Sequence, residues 1–379
     1  MDDQITGLQS QISDLNSQIS DLESELEDAQ ETISQRDETI TALGISISEM
    51  NAIIDEKDAN ISELESTIAD YETQIEALEA QIETSVEMNT ILATSSWLYL
   101  LQEIDLNAVG ETKFDLVVID YSRDGDDETR FTSDEISDLK DSPGGSKIVL
   151  AYMSIGEAED YRWYWQNSWD RNRDGNPDSG APSWLGPSNP DWIGNYKVRY
   201  WDEAWQSLIY GSDESYLDKI ISSGFDGVYL DIIDAYEYWG PEGESGMERT
   251  SALEEMVDFV LTLAEYARVV KGVDDFLIFP QNGEALANYS EYVQVVSGIG
   301  KEDTWYDDDA PQPDSYTAEV IDYLNIFSQA EKLVLVVDYV TETDLIDNFY
   351  FLAESNGYVP YSTIRELDTI TINAGHHPD

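Results

Sequence analysis

Isoleucine returns every seven residues along the first quarter of this chain, at Ile5, Ile12 and Ile19, then, after Leu26, at Ile33, Ile40, Ile47, Ile54, Ile61, Ile68, Ile75 and Ile82. Three residues after each stands a second position of the same repeat: Leu8, Leu15, Leu22, Ala29, Arg36, Leu43, Met50, Lys57, Leu64, Tyr71, Leu78 and Ser85. No heptad is skipped and no proline interrupts, so residues 1–90 are expected to form one helix with a narrow a/d seam, roughly 120 Å long at 1.5 Å per residue. A helix packed on a globular core would carry a wider apolar stripe. Isoleucine at a with leucine at d favours a parallel homodimer, and the lack of asparagine at any a position leaves a trimer as the alternative. Arg36 and Lys57 lie at d, where polar side chains reduce stability and fix register. They are also the only basic residues of the segment, against 23 acidic ones, so the flanks cannot form the usual Glu–Lys bridges and the coil is expected to weaken at low salt.

The whole chain has 379 residues, 80 acidic and 19 basic, a net charge of −61. Repulsion from phosphate, with no basic patch against it, argues against nucleic acid and against anionic lipid headgroups as partners. Such charge density fits very salty water, where screening removes the self-repulsion, so a protein of a high-salt environment is expected. No apolar run is long enough to insert into a membrane. The opening residues form neither a basic nor an apolar leader, and an extracellular or cell-surface location is expected only through a trimmed precursor. There is no cysteine, and the two histidines, His376 and His377, sit near the C-terminus. Thiolate chemistry is therefore excluded, and neither a buried Ser-His-Asp triad nor a histidine-rich metal centre is expected. Acid–base work falls to carboxylates, tyrosines and lysines.

Past residue 95 the heptads stop and short apolar runs begin: Trp97 to Leu101, Phe114 to Ile119, Lys147 to Met153, Tyr196 to Trp201, Gly227 to Leu230, Phe276 to Phe279, Val293 to Ile299, Leu333 to Val337 and Gly357 to Tyr361. They are nearly continuous rather than alternating, as in parallel strands buried on both faces. Helical stretches separate several of them: Glu203 to Ser223, Ser251 to Val270, Ala318 to Ala330 and Glu342 to Ser355. An α/β chain with this alternation reads as a (β/α)8 TIM-type barrel over residues 95–379, with one of the nine strand candidates an extra. An open doubly wound sheet is the alternative, weakened by the lack of a Gly-x-Gly-x-x-Gly turn.

Barrel enzymes place their chemistry where strands end. Here those ends offer Asp120; Tyr152 and Glu157; Tyr229, Asp231 and Asp234; Asn282; Glu302, Trp305 and Tyr306; and Asp338. Each carboxylate could cap a helix or hold an ion pair, but a rim of them with aromatics suggests glycoside hydrolysis, which needs two carboxyls flanking the scissile bond. Tryptophans between Trp163 and Trp205 are candidate sugar platforms, with core packing as the plainer alternative.

Three strings, Tyr152-Met153-Ser154-Ile155-Gly156-Glu157-Ala158-Glu159 with Arg162, Gly224-Phe225-Asp226-Gly227-Val228-Tyr229-Leu230-Asp231, and Glu302-Asp303-Thr304-Trp305-Tyr306, together resemble the endo-α-1,4-polygalactosaminidase family, glycoside hydrolase family 114, and its prokaryotic relatives, over about residues 95–365. The resemblance implies a TIM-type barrel that hydrolyses α-linked amino-sugar polysaccharide with no required cofactor. It places Asp231 and Glu302 at the two catalytic carboxylates, Asp231 as nucleophile and Glu302 as general acid/base. Asp120, Tyr229, Asn282 and Tyr306 are expected to hydrogen-bond that pair or grip sugar hydroxyls, with Tyr152, Asp234, Trp305 and Asp338 as further substrate contacts. Glu157 is a reserve second carboxylate, or else an ion-pair partner of Arg162.

Asp170, Asn172, Asp174, Asn176 and Asp178, with Gly175 among them, match the opening of a calcium loop, although position twelve is Ala181 rather than glutamate. A structural Ca2+ is one expectation and a loop of Asx turns the other. Two functions survive: a hydrolase displayed on an oligomeric coiled-coil stalk, and a non-catalytic glycan-binding or structural surface protein. The presence of both Asp231 and Glu302 favours the enzyme.

Overall fold

The computed structural model describes residues 2–378, with side chains described for residues 3–75 and 91–378. The chain divides into two units, 1–83 and 84–379. A single helix, Asp2–Leu92, runs through the first and into the start of the second. Every described side chain of residues 3–75 is exposed, the seam included: Ile5 is 50% and Ile40 65% accessible. The expected seam side chains at Leu78, Ile82 and Ser85 lie outside the described residues. Among the described residues no helix is long and apolar enough to cross a membrane.

The second unit contains eight parallel strands in chain order: β1 (Trp97–Leu100), β2 (Leu116–Asp120), β3 (Ile148–Ser154), β4 (Gly227–Asp231), β5 (Leu277–Pro280), β6 (Gly298–Glu302), β7 (Leu333–Asp338) and β8 (Val359–Ser362). The ladders β1–β5 and β6–β8 pair each strand with its sequence neighbour. A bridge between Gln281 and Gly300 joins β5 to β6. The Trp97 indole N–H donates to the Val359 carbonyl over 3.0 Å, linking β1 to β8 and closing a (β/α)8 barrel. The strands are β-branched and wholly or nearly wholly buried because helices cover them outside and side chains fill them inside. The filling is aromatic. Trp97, Tyr99, Tyr229 and Tyr361 pack with ring centroids 5.2–6.1 Å apart.

The extra strand candidate is Tyr196 to Trp201. Its first part, Asn195–Val198, pairs antiparallel with Glu157–Glu159 and Leu185–Ser188 in a three-stranded excursion sheet after β3. The expected strand Val293 to Ile299 straddles two elements, a helix over Ser290–Val295 and the start of β6. The expected helix Glu203 to Ser223 is two, Glu203–Ile209 and Tyr216–Ser222, separated around Gly211, whose φ of +109° no ordinary side chain adopts easily. The helix from Ser251 ends in a π turn, Tyr266–Val270.

Candidate active site

Asp231 is the last residue of β4. It accepts a 2.7 Å hydrogen bond from the Tyr152 hydroxyl of β3 and a 2.8 Å bond from the Ile232 backbone N–H. Burial, and after it the charge of Glu302, push its carboxyl well above the usual aspartate range. Ile232 takes φ = +58°, a conformation that is costly for a β-branched residue and that turns its N–H onto the preceding carboxylate.

Glu302 ends β6, two strands away. Asn282, just beyond β5, lies between the two. The Asn282 amide donates to Glu302 Oε2 over 3.1 Å, and its oxygen accepts from the Glu302 N–H and from Lys301 Nζ, both at 3.2 Å. The Tyr339 hydroxyl, just past β7, donates to Glu302 Oε1. Asn282 and Asp303 are also left-handed, at φ +62° and +53°. Asp303 is clamped by Arg365, whose guanidinium nitrogens each reach a carboxylate oxygen at 3.0 Å. The same guanidinium stands 4.3 Å from the Tyr339 ring centroid.

Asp231 and Glu302 line one cavity of about 920 Å³, with Asp120, Tyr152, Asp234 and Asn282. Asp234 is pushed up to about 6, first by burial and then by Glu237. Asp120 is held from behind by buried Arg162, at 2.8–2.9 Å. Tyr99, also on the wall, donates to Gln281 over 2.8 Å and so fixes the end of β5.

Five expected sugar contacts lie elsewhere. Tyr229 points into the barrel filling, fully buried. Glu157 is fully buried in the excursion sheet, where it pairs with Lys197 at 2.6 Å and takes a bond from Asn189. Arg162 pairs instead with Asp120 and Glu159. Asp338 receives the backbone N–H groups of Thr304, Trp305 and Tyr306 at 2.8–3.0 Å, and burial raises it to about 7. It is therefore a bracket for the loop after β6. That bracket turns Trp305 inward against Phe349, and the Tyr306 hydroxyl onto Asn348. The tryptophan cluster likewise packs on itself through Trp165, Trp169, Trp184 and Trp205.

In the expected calcium loop the aspartates accept hydrogen bonds, with one Asx turn from the Asn176 N–H to Asp174. Asp170 accepts from the N–H groups of Asp174 and Gly175 and from the Tyr196 hydroxyl. Asp174 accepts from Asn172 and Asn176, and Asp178 from the Arg171 N–H. These oxygens are engaged by their own loop. Among the described residues no group of three or more His, Cys, Asp or Glu is arranged to hold a metal.

Chemically, the cavity presents two carboxylates with two donors each and a third carboxylate, Asp234, nearby. This set can protonate a leaving group and stabilise a developing cation without any metal. Sequence reasoning missed Tyr339, Arg365 and Tyr99, whose partners are far away in the chain. The Asp338-Tyr339 pair at the end of an apolar run was the available signal for Tyr339.

The family model for glycoside-hydrolase family GH114 matches residues 78–376. An uncharacterized protein of Methanocaldococcus jannaschii is 39% identical over 299 residues, 76% of this chain and 81% of that one. One of Thermotoga maritima is 37% identical over 294 residues, 75% and 85% of the respective chains. In fold, the chain is similar to the glycoside hydrolase domain of PelA from Pseudomonas aeruginosa, with a TM-score of 0.54 at 17% identity, covering 74% of this chain and 99% of that one.

Proposed function

The chain belongs to glycoside hydrolase family GH114, and from that premise we propose that it cleaves an α-linked amino-sugar polysaccharide with Asp231 and Glu302 as its two working carboxylates. The convergence of those two side chains in one cavity carries the reading. Asp231 acts as nucleophile at the anomeric carbon, and Glu302 protonates the departing glycosidic oxygen and then takes a proton from water. Burial and the Glu302 charge raise the Asp231 carboxyl. The reaction needs Asp231 as the anion and a proton on Glu302 once sugar is bound. The Tyr152 hydroxyl and the Ile232 N–H, both aimed at Asp231, favour its anion, and a glycosidic oxygen gives Glu302 an acceptor for its proton. Water and these residues suffice, so no cofactor is required.

The sign of the cavity supports an amino sugar. Eleven of its lining residues are acidic and three are basic. Each of the three is already paired: Arg123 with Glu135, Lys197 with Glu157, and Arg365 with Asp303. The balance is negative potential in a concave site, which attracts ammonium groups. Asp120, Asp231 and Asp234 are too sheltered to belong to a solvent-facing acidic coat.

The exposed isoleucine seam supports assembly of residues 1–90 into a parallel homodimeric coiled coil, with the barrel displayed on it. The acidic composition supports a high-salt setting. The test is a reducing-sugar assay in molar salt on a panel of amino-sugar polymers. Asp231→Asn and Glu302→Gln should each abolish turnover, and full activity in either variant overturns the assignment. Wild-type protein that binds these polymers without cutting them would make the barrel a glycan-binding module.

A further inference from the structure

Tyr161 lines the same cavity, yet the two-carboxylate reaction gives it no task. Its ring is held rigidly on three sides. The Arg162 guanidinium stands 4.9 Å from the ring centroid. Gly125, at φ +85°, lies so close that a Cβ there would fall 2.3 Å from Tyr161 Cδ2. The hydroxyl donates to Glu159 over 2.5 Å. Despite this fixation, 47% of the residue is exposed. Arg162 is itself paired with Asp120 and Glu159, so the platform rests on a buried ion-pair network.

A second aromatic adjoins it. The tip of the excursion sheet carries Trp192 and Ile193, 50% and 86% exposed, and both line the cavity. That tip is fastened next to Tyr161, because the Asp160 N–H donates to the Gly194 carbonyl over 2.9 Å. Two large apolar side chains held open beside a cluster of carboxylates carry a solvation cost that a ligand face would relieve. Pyranose rings have such faces, in their axial C–H groups. Arg162 also stands 6.0 Å from the ring of Tyr152, the donor to Asp231, so the platform is mechanically continuous with the catalytic pair.

We propose that Tyr161, with Trp192 on the adjoining tip, is the stacking platform of a further sugar subsite, one that holds a pyranose ring of the substrate chain next to the ring being cut. This rests on the carbohydrate reading of the cavity. It adds that an aromatic face, rather than a carboxylate, supplies the dependence on chain length.

The test is binding by isothermal titration to the full chain carrying Asp231→Asn, which removes cleavage. The probes are α-1,4-linked galactosamine oligomers of increasing length, in molar salt. Affinity should climb with length in this background. Adding Tyr161→Ala should flatten that climb and weaken the longer oligomers about tenfold. Tyr161→Phe, which keeps the ring and loses the hydroxyl, should retain the climb. Trp192→Ala, on an exposed tip where folding is not at risk, should weaken the longer oligomers while sparing the shortest. Equal loss in the Phe and Ala variants would assign the effect to the Glu159 bond and overturn the platform, as would an unchanged climb in Tyr161→Ala and Trp192→Ala together. Failure of every oligomer to bind the Asp231→Asn protein would overturn the amino-sugar reading as well.

Discussion

The Tyr152 hydroxyl donates to Asp231 over 2.7 Å, so a β3 side chain holds the carboxylate that β4 presents. In Tyr152→Phe that anion loses a donor while its burial is unchanged, and the Asp231 carboxyl should rise still further. A hydrogen bond to a charged group contributes about 1.5–3 kcal/mol, which corresponds to about 10–100-fold in kcat. The acidic limb of the pH–kcat curve should also move to higher pH. A variant with the wild-type limb and kcat would show that Tyr152 does not hold the proposed nucleophile.

Arg365 touches Glu302 only through others, by clamping Asp303 and by stacking over Tyr339. It is a positioning residue. Arg365→Ala should lower kcat about tenfold with little change in KM, because transition-state alignment is lost and substrate contacts are kept. Arg365→Lys should recover only part, since one ammonium cannot reproduce the two parallel bonds to Asp303. Steady-state kinetics of the two variants checks this.

Asp234 is raised to about 6, so it is neutral below that pH and anionic above it. For an ammonium-bearing substrate, kcat/KM should therefore climb as pH passes through about 6, and Asp234→Asn should remove that limb. Stability follows the opposite course. A carboxyl whose folded pKa is raised supports the fold fully below its unfolded pKa of about 3.9, and that support is lost as pH rises through about 6. Thermal melts of wild type and Asp234→Asn should differ in pH slope within that window.

Gly300 makes room for Tyr229 inside the barrel, since a Cβ there would fall 1.8 Å from the Tyr229 hydroxyl. Gly300→Ala should cost about 1–3 kcal/mol through overpacking, seen as a lower Tm. Tyr229→Phe in the same background should recover little of the loss, because Cζ and Cε2 of the ring would still lie 2.4 and 2.6 Å from the added Cβ, whereas Tyr229→Leu should recover more.

The helix of residues 1–90, with 23 acidic residues and only Arg36 and Lys57 as bases, should assemble more tightly as salt rises. Sedimentation of the full chain should show a larger oligomer in molar salt than at low salt. Arg36→Leu should narrow that difference by stabilising the seam at every salt concentration. An identical oligomer across the series would contradict the salt dependence, and a monomer throughout would contradict the coil.

Eight of the nine apolar runs correspond in whole or in part to barrel strands, because parallel strands buried on both faces leave a local trace that survives without tertiary context. Tyr196 to Trp201 misled for a physical reason. Tyr196 is buried in an excursion sheet that ends at Val198, and an apolar run does not reveal which sheet covers it. At the site, Asp231, Glu302 and Asn282 were legible as polar residues after apolar strands. Trp305 and Asp338 were equally legible and have different work, since the direction of the loop after β6 depends on three backbone N–H groups meeting one carboxylate. Arg365 and Tyr99 left no local signal, because each acts on a residue in a different strand or loop.

The left-handed turns at Ile232, Asn282 and Asp303 fall at the ends of three successive strands, each beside or between Asp231 and Glu302, the proposed catalytic pair. Glycine at any of them would relax the backbone, so a screen for heat resistance alone would favour such changes. Their cost would appear in the aim of the carboxylates. A more durable barrel selected in this way should be a slower catalyst, and the two properties would separate first at these corners.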